Sequence, residues 1–175
     1  VQTGYGRTGS LFAYQQFNIE PDIMTVAKGM GNGFPLAACF MTDKIAKNIS
    51  PGKHGSTYGG NPLAMAVGNA VLDTVMADNF LSKKTAISQY LENSLKKLQQ
   101  QFSEIIKEIR GVGLIWGVEF FELEAKEILL QLAENGLIVT KTSNKKTLRI
   151  LPPLIINKTH INQMQKIFFK ILEKL

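Results

Sequence analysis

Apolar residues repeat along this chain with helical spacing in some segments and in short strand-like runs in others, which predicts a mixed α/β protein. Residues 62–76 are nearly all small and apolar, so we expect a helix capped by Asn61 and buried on most sides. Further helices are predicted from apolar residues three and four positions apart, at 80–102, 124–135 and from Thr159 onward. The predicted strands are short apolar runs, at 23–27, 34–41, 112–121, 137–140 and 148–151.

The composition changes at the long helix 80–102, from glycine-rich sequence before it to lysine- and glutamine-rich sequence within it. We therefore predict a domain boundary on this helix. Residues 1–85 would belong to one domain, and residues 86–175 would form a small α+β domain with antiparallel strands. The chain starts at Val1 and enters glycine-rich sequence at once, so we expect it to be a piece of a longer protein.

The composition is ordinary for a globular protein, with 45% hydrophobic and 19% charged residues. The single cysteine, Cys39, fits a reducing compartment, and we expect a cytoplasmic location without a membrane segment. The net charge of +6 is carried mostly by scattered lysines, and the only arginines are Arg7, Arg110 and Arg149. Because nucleic-acid binding favours clustered arginines and interleaved aromatics, we interpret this charge as a solvated surface and expect no nucleic-acid partner.

One glycine pattern, Gly4 to Gly9, fits the dinucleotide-binding sequence G-x-G-x-x-G. That function needs a strand before the glycines and a helix that opens from them toward the pyrophosphate. Only three residues precede Gly4, and the following segment has weak helical periodicity and runs into Pro21. We therefore interpret residues 4–9 as a glycine-rich loop and keep a nucleotide-binding module as a minor alternative.

Lys28 follows the predicted strand 23–27 and precedes Gly29, Gly31 and Gly33. A strand end is a rigid platform, and the glycines would let a planar ligand approach the backbone. A lysine used for imine chemistry must be uncharged for part of the time, and the apolar flanks could desolvate it. The alternative is a lysine that extends from the strand end into solvent.

Two further features favour an anionic ligand. The loop 54–60 carries Ser56 and Thr57 before the Asn61 cap, and its hydroxyl and backbone N–H groups suit a phosphate. Arg149 lies within the apolar run 148–151, where a guanidinium needs an anionic partner. That partner could be a ligand carboxylate or an internal Asp or Glu.

In order and spacing, four segments together resemble the class III pyridoxal-phosphate-dependent aminotransferases: residues 1–9, 25–35, 54–64 and 148–154. The resemblance covers essentially the whole chain. It implies an α/β protein of aminotransferase fold type I, with a truncated large-domain sheet and a C-terminal small α+β domain. Residues 1–85 would then be the C-terminal part of the cofactor-binding large domain.

The resemblance also implies roles for individual residues. Lys28 would bind pyridoxal 5'-phosphate covalently and move a proton between the substrate α-carbon and the cofactor. Thr57, with the backbone of Ser56, would bind the cofactor phosphate of the neighbouring subunit, so that a homodimer shares its active sites. Gln2 would lie near the phenolic oxygen of the pyridine ring. Arg149 would bind the α-carboxylate of the amino-acid substrate and of 2-oxoglutarate.

Within the family, the sequence of residues 54–64 is most similar to that of the acetylornithine branch, and next to that of the ornithine-type members. This implies amino transfer from N-acetylornithine to 2-oxoglutarate in arginine biosynthesis. Ornithine, succinylornithine and 4-aminobutyrate remain alternative donors. A non-catalytic fragment is a further alternative, because the family's aspartate that pairs with the pyridinium nitrogen would lie two residues before Val1.

Overall fold

A computed structural model describes residues 1–175 of the chain, which forms five α-helices, six strands and two short 3-10 helices. The strands are β1 (Ile23–Val26), β2 (Ala38–Met41), β3 (Ile106–Val112), β4 (Ile115–Phe120), β5 (Thr140–Lys141) and β6 (Thr147–Ile150). The α-helices are α1 (Asp43–Ala46), α2 (Pro62–Met76), α3 (Phe80–Gln101), α4 (Ala125–Glu134) and α5 (Lys158–Leu172). The 3-10 helices are Ala13–Gln16 and Lys28–Met30. None of the helices combines the length and the apolar character needed to cross a bilayer.

The chain divides into two compact units, Val1–Leu81 and Ser82–Leu175. The division falls near the start of α3, the same helix on which the sequence places a domain boundary, between residues 85 and 86. The assignment of these parts to a large and a small domain of a complete enzyme stays a prediction.

In the first unit, β1 and β2 pair antiparallel and a small apolar cluster forms around Tyr5, Val26 and Val75. Helix α2 begins where expected, because the Asn61 side chain accepts a hydrogen bond from the Ala64 N–H at 2.9 Å.

The expected burial in this unit is wrong in two places. Only Ala64 and Val75 of α2 are buried, whereas Leu63 is 62% exposed. Strand β2 is also not buried, since Phe40 is 46% exposed. Two strands and one long helix provide too little surface to cover all of the apolar side chains that these segments carry.

The second unit contains a four-stranded antiparallel sheet in the order β3-β4-β6-β5. Apolar residues of α3, α4 and α5 form its core together with residues of the sheet. This confirms the predicted α+β unit with antiparallel strands. One predicted strand, 112–121, is instead a hairpin: Val112 ends β3, and the chain turns at Gly113, which has a φ of 61°, before β4. Helix α5 is capped by Asn157, not by Thr159, through a 3.2 Å hydrogen bond from the His160 N–H.

Candidate active site

Lys28 lies where β1 ends and the chain turns. Val26 is only 5% exposed, Ala27 is extended, and Lys28 has a φ of 49°. A non-glycine residue in this left-handed region costs on the order of 1–3 kcal/mol, and such residues cluster at functional sites. The N–H groups of Gly31 and Asn32 donate to the Lys28 carbonyl at 3.1 and 3.0 Å. These bonds hold the lysine backbone in its strained conformation.

The side chain of Lys28 is exposed in this chain. The sequence suggests that the apolar flanks bury the amine of Lys28. In the structure they leave it open to solvent. The physical reason is that the flanking strands are themselves open to solvent, with Ile23 52% and Phe40 46% exposed. An incoming ligand can reach the amine directly, and the desolvation that imine chemistry requires must come with that ligand or with further protein around it.

The turn after Lys28 depends on Gly31. A Cβ at this position would lie 2.1 Å from the carbonyl oxygen of Phe34, a distance that no real Cβ contact has. The Phe34 N–H also donates to the Gly31 carbonyl at 2.9 Å, so the two backbones are held together. Only glycine fits this close approach without moving the backbone that carries Lys28.

Gly29 marks the contact between the Lys28 turn and the loop 4–9. A Cβ on Gly29 would lie 3.3 Å from the Cβ of Tyr5. Tyr5 is 7% exposed and has a φ of 55°, and burial raises the pKa of its phenol. Gln2, which is partly buried, precedes this loop, so the structure brings the segment of Gln2 next to the Lys28 turn. Sequence reasoning missed Tyr5 as a support, because its burial depends on residues more than twenty positions away.

The loop 4–9 is built from turns, with the Arg7 N–H donating to Gly4 and the Gly9 N–H donating to Gly6. A four-residue 3-10 helix, Ala13–Gln16, follows it. No α-helix therefore opens from the glycines toward a bound pyrophosphate. The interpretation of this segment as a glycine-rich loop, not a dinucleotide site, agrees with the structure.

The loop with Ser56 and Thr57 is exposed, and hydrogen bonds connect its end to helix α2. The Gly59 N–H donates to Ser56 Oγ at 3.0 Å, so this hydroxyl faces its own loop. Asn61 Nδ2 donates to the Tyr58 carbonyl at 2.8 Å while Asn61 Oδ1 caps α2. One asparagine thus connects the loop to the helix. Thr57 is exposed in the loop that precedes the N-terminus of α2, and a helix N-terminus is an environment that favours an anion.

Helix α2 packs against the short helix Lys28–Met30. The approach is close next to this turn, because a Cβ on Gly68 of α2 would lie 2.8 Å from Leu36 Cδ2. The element that follows the Thr57 loop is therefore in contact with the Lys28 turn. Thr57 itself lies in the exposed loop before α2.

Arg149 belongs to the second unit, on β6 in the interior of the sheet. Leu148 and Ile150 point into the core with exposures of 0% and 3%, so Arg149 lies on the opposite face and is half-buried. Its register partners are Gly117 on β4 and Thr140 on β5. The Arg149 Nε–H donates to Thr140 Oγ1 at 3.1 Å. Sequence reasoning named Arg149 as a candidate and did not name Thr140, since the pairing of β5 with β6 is not visible in the order of residues.

A second group of charges occupies the β3–β4 hairpin. The carboxylate of Glu119, on a residue only 9% exposed, accepts hydrogen bonds from Lys107 Nζ at 2.9 Å and from Arg110 Nη1 at 2.6 Å. These two hydrogen bonds, that of Lys107 first, hold the pKa of Glu119 below its usual range. The hydrogen bond to Glu119, and after it that to Glu108, raises the pKa of Arg110.

Comparison with known proteins places these residues in a family. A family model for class-III aminotransferases matches residues 1–172. An acetylornithine aminotransferase from Agrobacterium fabrum is 48% identical over 155 residues, which are 89% of this chain and 38% of that protein. The structure of an acetylornithine aminotransferase from Elizabethkingia anophelis is 33% identical, with a TM-score of 0.90 over 100% of this chain and 44% of its own.

A Toxoplasma gondii ornithine aminotransferase, with pyridoxal phosphate partly occupying its active site, is 31% identical, with a TM-score of 0.87 over 98% of this chain and 41% of its own. This chain belongs to the class-III aminotransferases. The match confirms the resemblance seen in the sequence and the aminotransferase fold. The chain spans less than half the length of the curated relatives it matches, 38% for the Agrobacterium protein.

Proposed function

We propose that this chain supplies the cofactor-anchoring lysine and the carboxylate-binding arginine of a pyridoxal-phosphate-dependent aminotransferase. The observation that carries the proposal is Lys28, which is held in a strained left-handed conformation at a strand end inside a family-matched segment. The proposed reaction of the whole enzyme is amino transfer from N-acetylornithine to 2-oxoglutarate, in arginine biosynthesis and in the cytoplasm. The names of the relatives support this donor.

The residues of the first unit fit pyridoxal phosphate by the chemistry of their donor groups. Lys28 offers an exposed primary amine for the aldehyde, at a backbone position that does not move freely. Thr57 offers an exposed hydroxyl before the capped N-terminus of α2, where a phosphate is stabilised by backbone N–H groups. Gln2 precedes the loop that packs under the Lys28 turn and would contact the ring edge.

When bound, pyridoxal phosphate withdraws electrons from the substrate carbon that bears the amine. The Lys28 amine would have two tasks beside this: it would hold the cofactor before the substrate arrives, and its Nζ would then take the proton from that carbon and pass it to the cofactor. Arg149 orients the substrate through its carboxylate, for which a guanidinium fork has the matching geometry. The rigid turn at Gly31 keeps the Lys28 backbone in one place through both tasks.

Borohydride labelling of the full-length enzyme that contains this chain tests the proposal. Reduction makes the lysine–cofactor bond permanent, and peptide mass spectrometry should then find the label on Lys28. Lys28→Ala should remove the label and lower kcat by about 10²–10⁴. Lys44→Ala, which changes another exposed lysine of the same unit, should keep both label and kcat. An active enzyme labelled at a different lysine would overturn the role of Lys28.

The amino donor is tested separately, by kcat/KM for N-acetylornithine, N-succinylornithine, ornithine and 4-aminobutyrate with 2-oxoglutarate as acceptor. We expect N-acetylornithine to have the highest value. A higher value for another donor would change the substrate and leave the class of reaction in place. Failure of all four, with cofactor bound at Lys28, would favour a non-catalytic role.

The proposed shared active site makes Thr57 act on the cofactor of the other subunit of a homodimer. The exposure of Tyr58 (81%) and Leu63 (62%) beside it supports a partner surface at this place. We expect Lys28→Ala and Thr57→Val homodimers to be impaired and their mixture to recover activity, because a mixed dimer has one site with both native residues. Activity of the mixture no higher than the average of the two homodimers would contradict the sharing.

A further inference from the structure

Tyr5 contacts the turn that carries Lys28. A Cβ on Gly29, the residue after Lys28, would lie 3.3 Å from Tyr5 Cβ and 3.9 Å from Tyr5 Cγ. Tyr5 is 7% exposed, and the apolar cluster around it includes Val26 and Met30, which lie two residues before and after Lys28. The chain on both sides of Lys28 therefore packs against the same apolar group as Tyr5, while Lys28 itself is exposed.

The ring of Tyr5 is restricted by its own neighbours. It meets the ring of Phe12 edge to face, with 5.9 Å between the centroids and an angle of 88° between the planes. Phe12 in turn lies close to the loop backbone, because a Cβ on Gly4 would be 3.3 Å from Phe12 Cδ1. Tyr5 thus offers Gly29 a surface that is held from within the first unit.

Hydrogen bonds alone do not place the Lys28 turn. The N–H groups of Gly31 and Asn32 both donate to the Lys28 carbonyl, and these bonds stay within residues 28–32. They determine the shape of the turn but not its position relative to the rest of the unit. That position depends on β1, which precedes the turn, and on packing against Tyr5 and against helix α2, which contacts the short helix that begins at Lys28.

We propose that Tyr5 is a positioning residue, whose packed ring places the Lys28 turn so that the amine meets the aldehyde of pyridoxal phosphate. This inference rests on the proposed function of Lys28, and Tyr5 acts through the backbone of Gly29. In the reaction that it assists, a double bond forms between Lys28 Nζ and the aldehyde carbon, and water is released. The rate of such a step depends on the placement of the two groups, and a displacement of about 1 Å can cost about 10²-fold.

The test uses the full-length enzyme after removal of its cofactor, with Tyr5→Ala. The rate constant of its reaction with pyridoxal phosphate, followed by stopped-flow absorbance, should fall about tenfold. Pyridoxine 5'-phosphate has an alcohol in place of the aldehyde and does not react with Lys28, so its dissociation constant should not change. Tyr5→Phe keeps the ring and should restore the rate. Equal weakening of the reaction and of pyridoxine 5'-phosphate binding would overturn the inference and indicate a general loss of structure.

Tyr14→Ala is the matched control. It removes another aromatic side chain that contacts Phe12, with 6.2 Å between the ring centroids, whereas the nearest neighbours of Gly29 are atoms of Tyr5 and Gly4. The rate of the aldehyde reaction should stay at the wild-type value in this control. Equal falls in Tyr5→Ala and Tyr14→Ala would contradict a specific role of Tyr5. Tyr5→Leu serves as a second variant if Tyr5→Ala does not fold.

Gly29→Ala perturbs the same contact from the other side. Gly29 does not have a positive φ, so alanine suits its backbone, but the new methyl group requires a shift of a few tenths of an ångström between the turn and Tyr5. The rate of the aldehyde reaction should therefore fall about five- to tenfold. Tyr5→Gly removes the opposing side chain, and Gly29→Ala should cause no further fall in that background. The same factor in both backgrounds would show that the contact does not transmit the effect.

Borohydride labelling separates this inference from the proposed function. A label on a lysine other than Lys28 in the wild-type enzyme would remove the proposed role of Lys28 itself. A label on Lys28, together with wild-type reaction rates in both Tyr5→Ala and Gly29→Ala, would refute only the role of Tyr5.

Discussion

Phe168 is the residue whose truncation should most clearly destabilise the second unit. It lies on α5, has an exposure of 0% and belongs to the core of that unit. Replacing a buried phenylalanine by alanine removes its apolar surface from the core and leaves a cavity, at a cost of about 3–5 kcal/mol. Small domains are stable by roughly 5–15 kcal/mol, so Phe168→Ala should remove a large fraction of the free energy of unfolding.

The only tryptophan of the chain makes the measurement specific to this unit. Trp116 on β4 is 5% exposed and belongs to the same core as Phe168, so its fluorescence reports the unfolding of the second unit. Urea unfolding followed at Trp116 should give a lower midpoint with an unchanged slope, and the thermal midpoint should fall by at least about 12 °C. The matched control is Phe121→Ala, because Phe121 is 44% exposed. Its loss should stay within about 0.5 kcal/mol.

A loss in Phe168→Ala no larger than that in Phe121→Ala would refute the reasoning, because both variants remove the same side chain. A changed urea slope would have a different meaning. It would indicate that the variant alters the compactness of the native or unfolded state, and the loss of free energy could then not be assigned to the core alone.

Two further predictions concern the loop before α2 and the charges of the β3–β4 hairpin. Asn61→Ala should lower the free energy of unfolding by about 0.5–2 kcal/mol in urea titrations followed by circular dichroism, and Asn61→Ser, which keeps a cap acceptor, should lose less. The pKa of Glu119 is lowered by its hydrogen bonds, so the stability that they contribute is present above the unfolded-state pKa and lost as the pH falls through the folded-state value. Between about pH 6 and 2, Glu119→Gln should therefore lose less stability than the wild type, and equal losses would contradict this assignment.

Several features of the fold were determined by local sequence alone. Helix α2 occupies residues 62–76 as predicted, because an asparagine cap and a proline at the first helical position act within one turn. The alternation in β6 correctly separates Arg149 from the core residues beside it, because successive side chains of a strand point to opposite faces. The strand end followed by glycines at Lys28 is also a local pattern, and the role that it suggests for Lys28 stays a prediction.

Only the tertiary structure shows which residues pack against or bind the candidate residues. The contact of Tyr5 with Gly29 and the hold of Thr140 on Arg149 join residues that are distant along the chain or paired only through strand register. The exposure of α2 was also not visible in its apolar sequence, because burial depends on what packs against a helix and not on its own composition. Local propensity and periodicity therefore specified the elements and the candidate residues, while their burial, their partners and the fixed geometry of Lys28 and Arg149 arise from long-range packing and pairing.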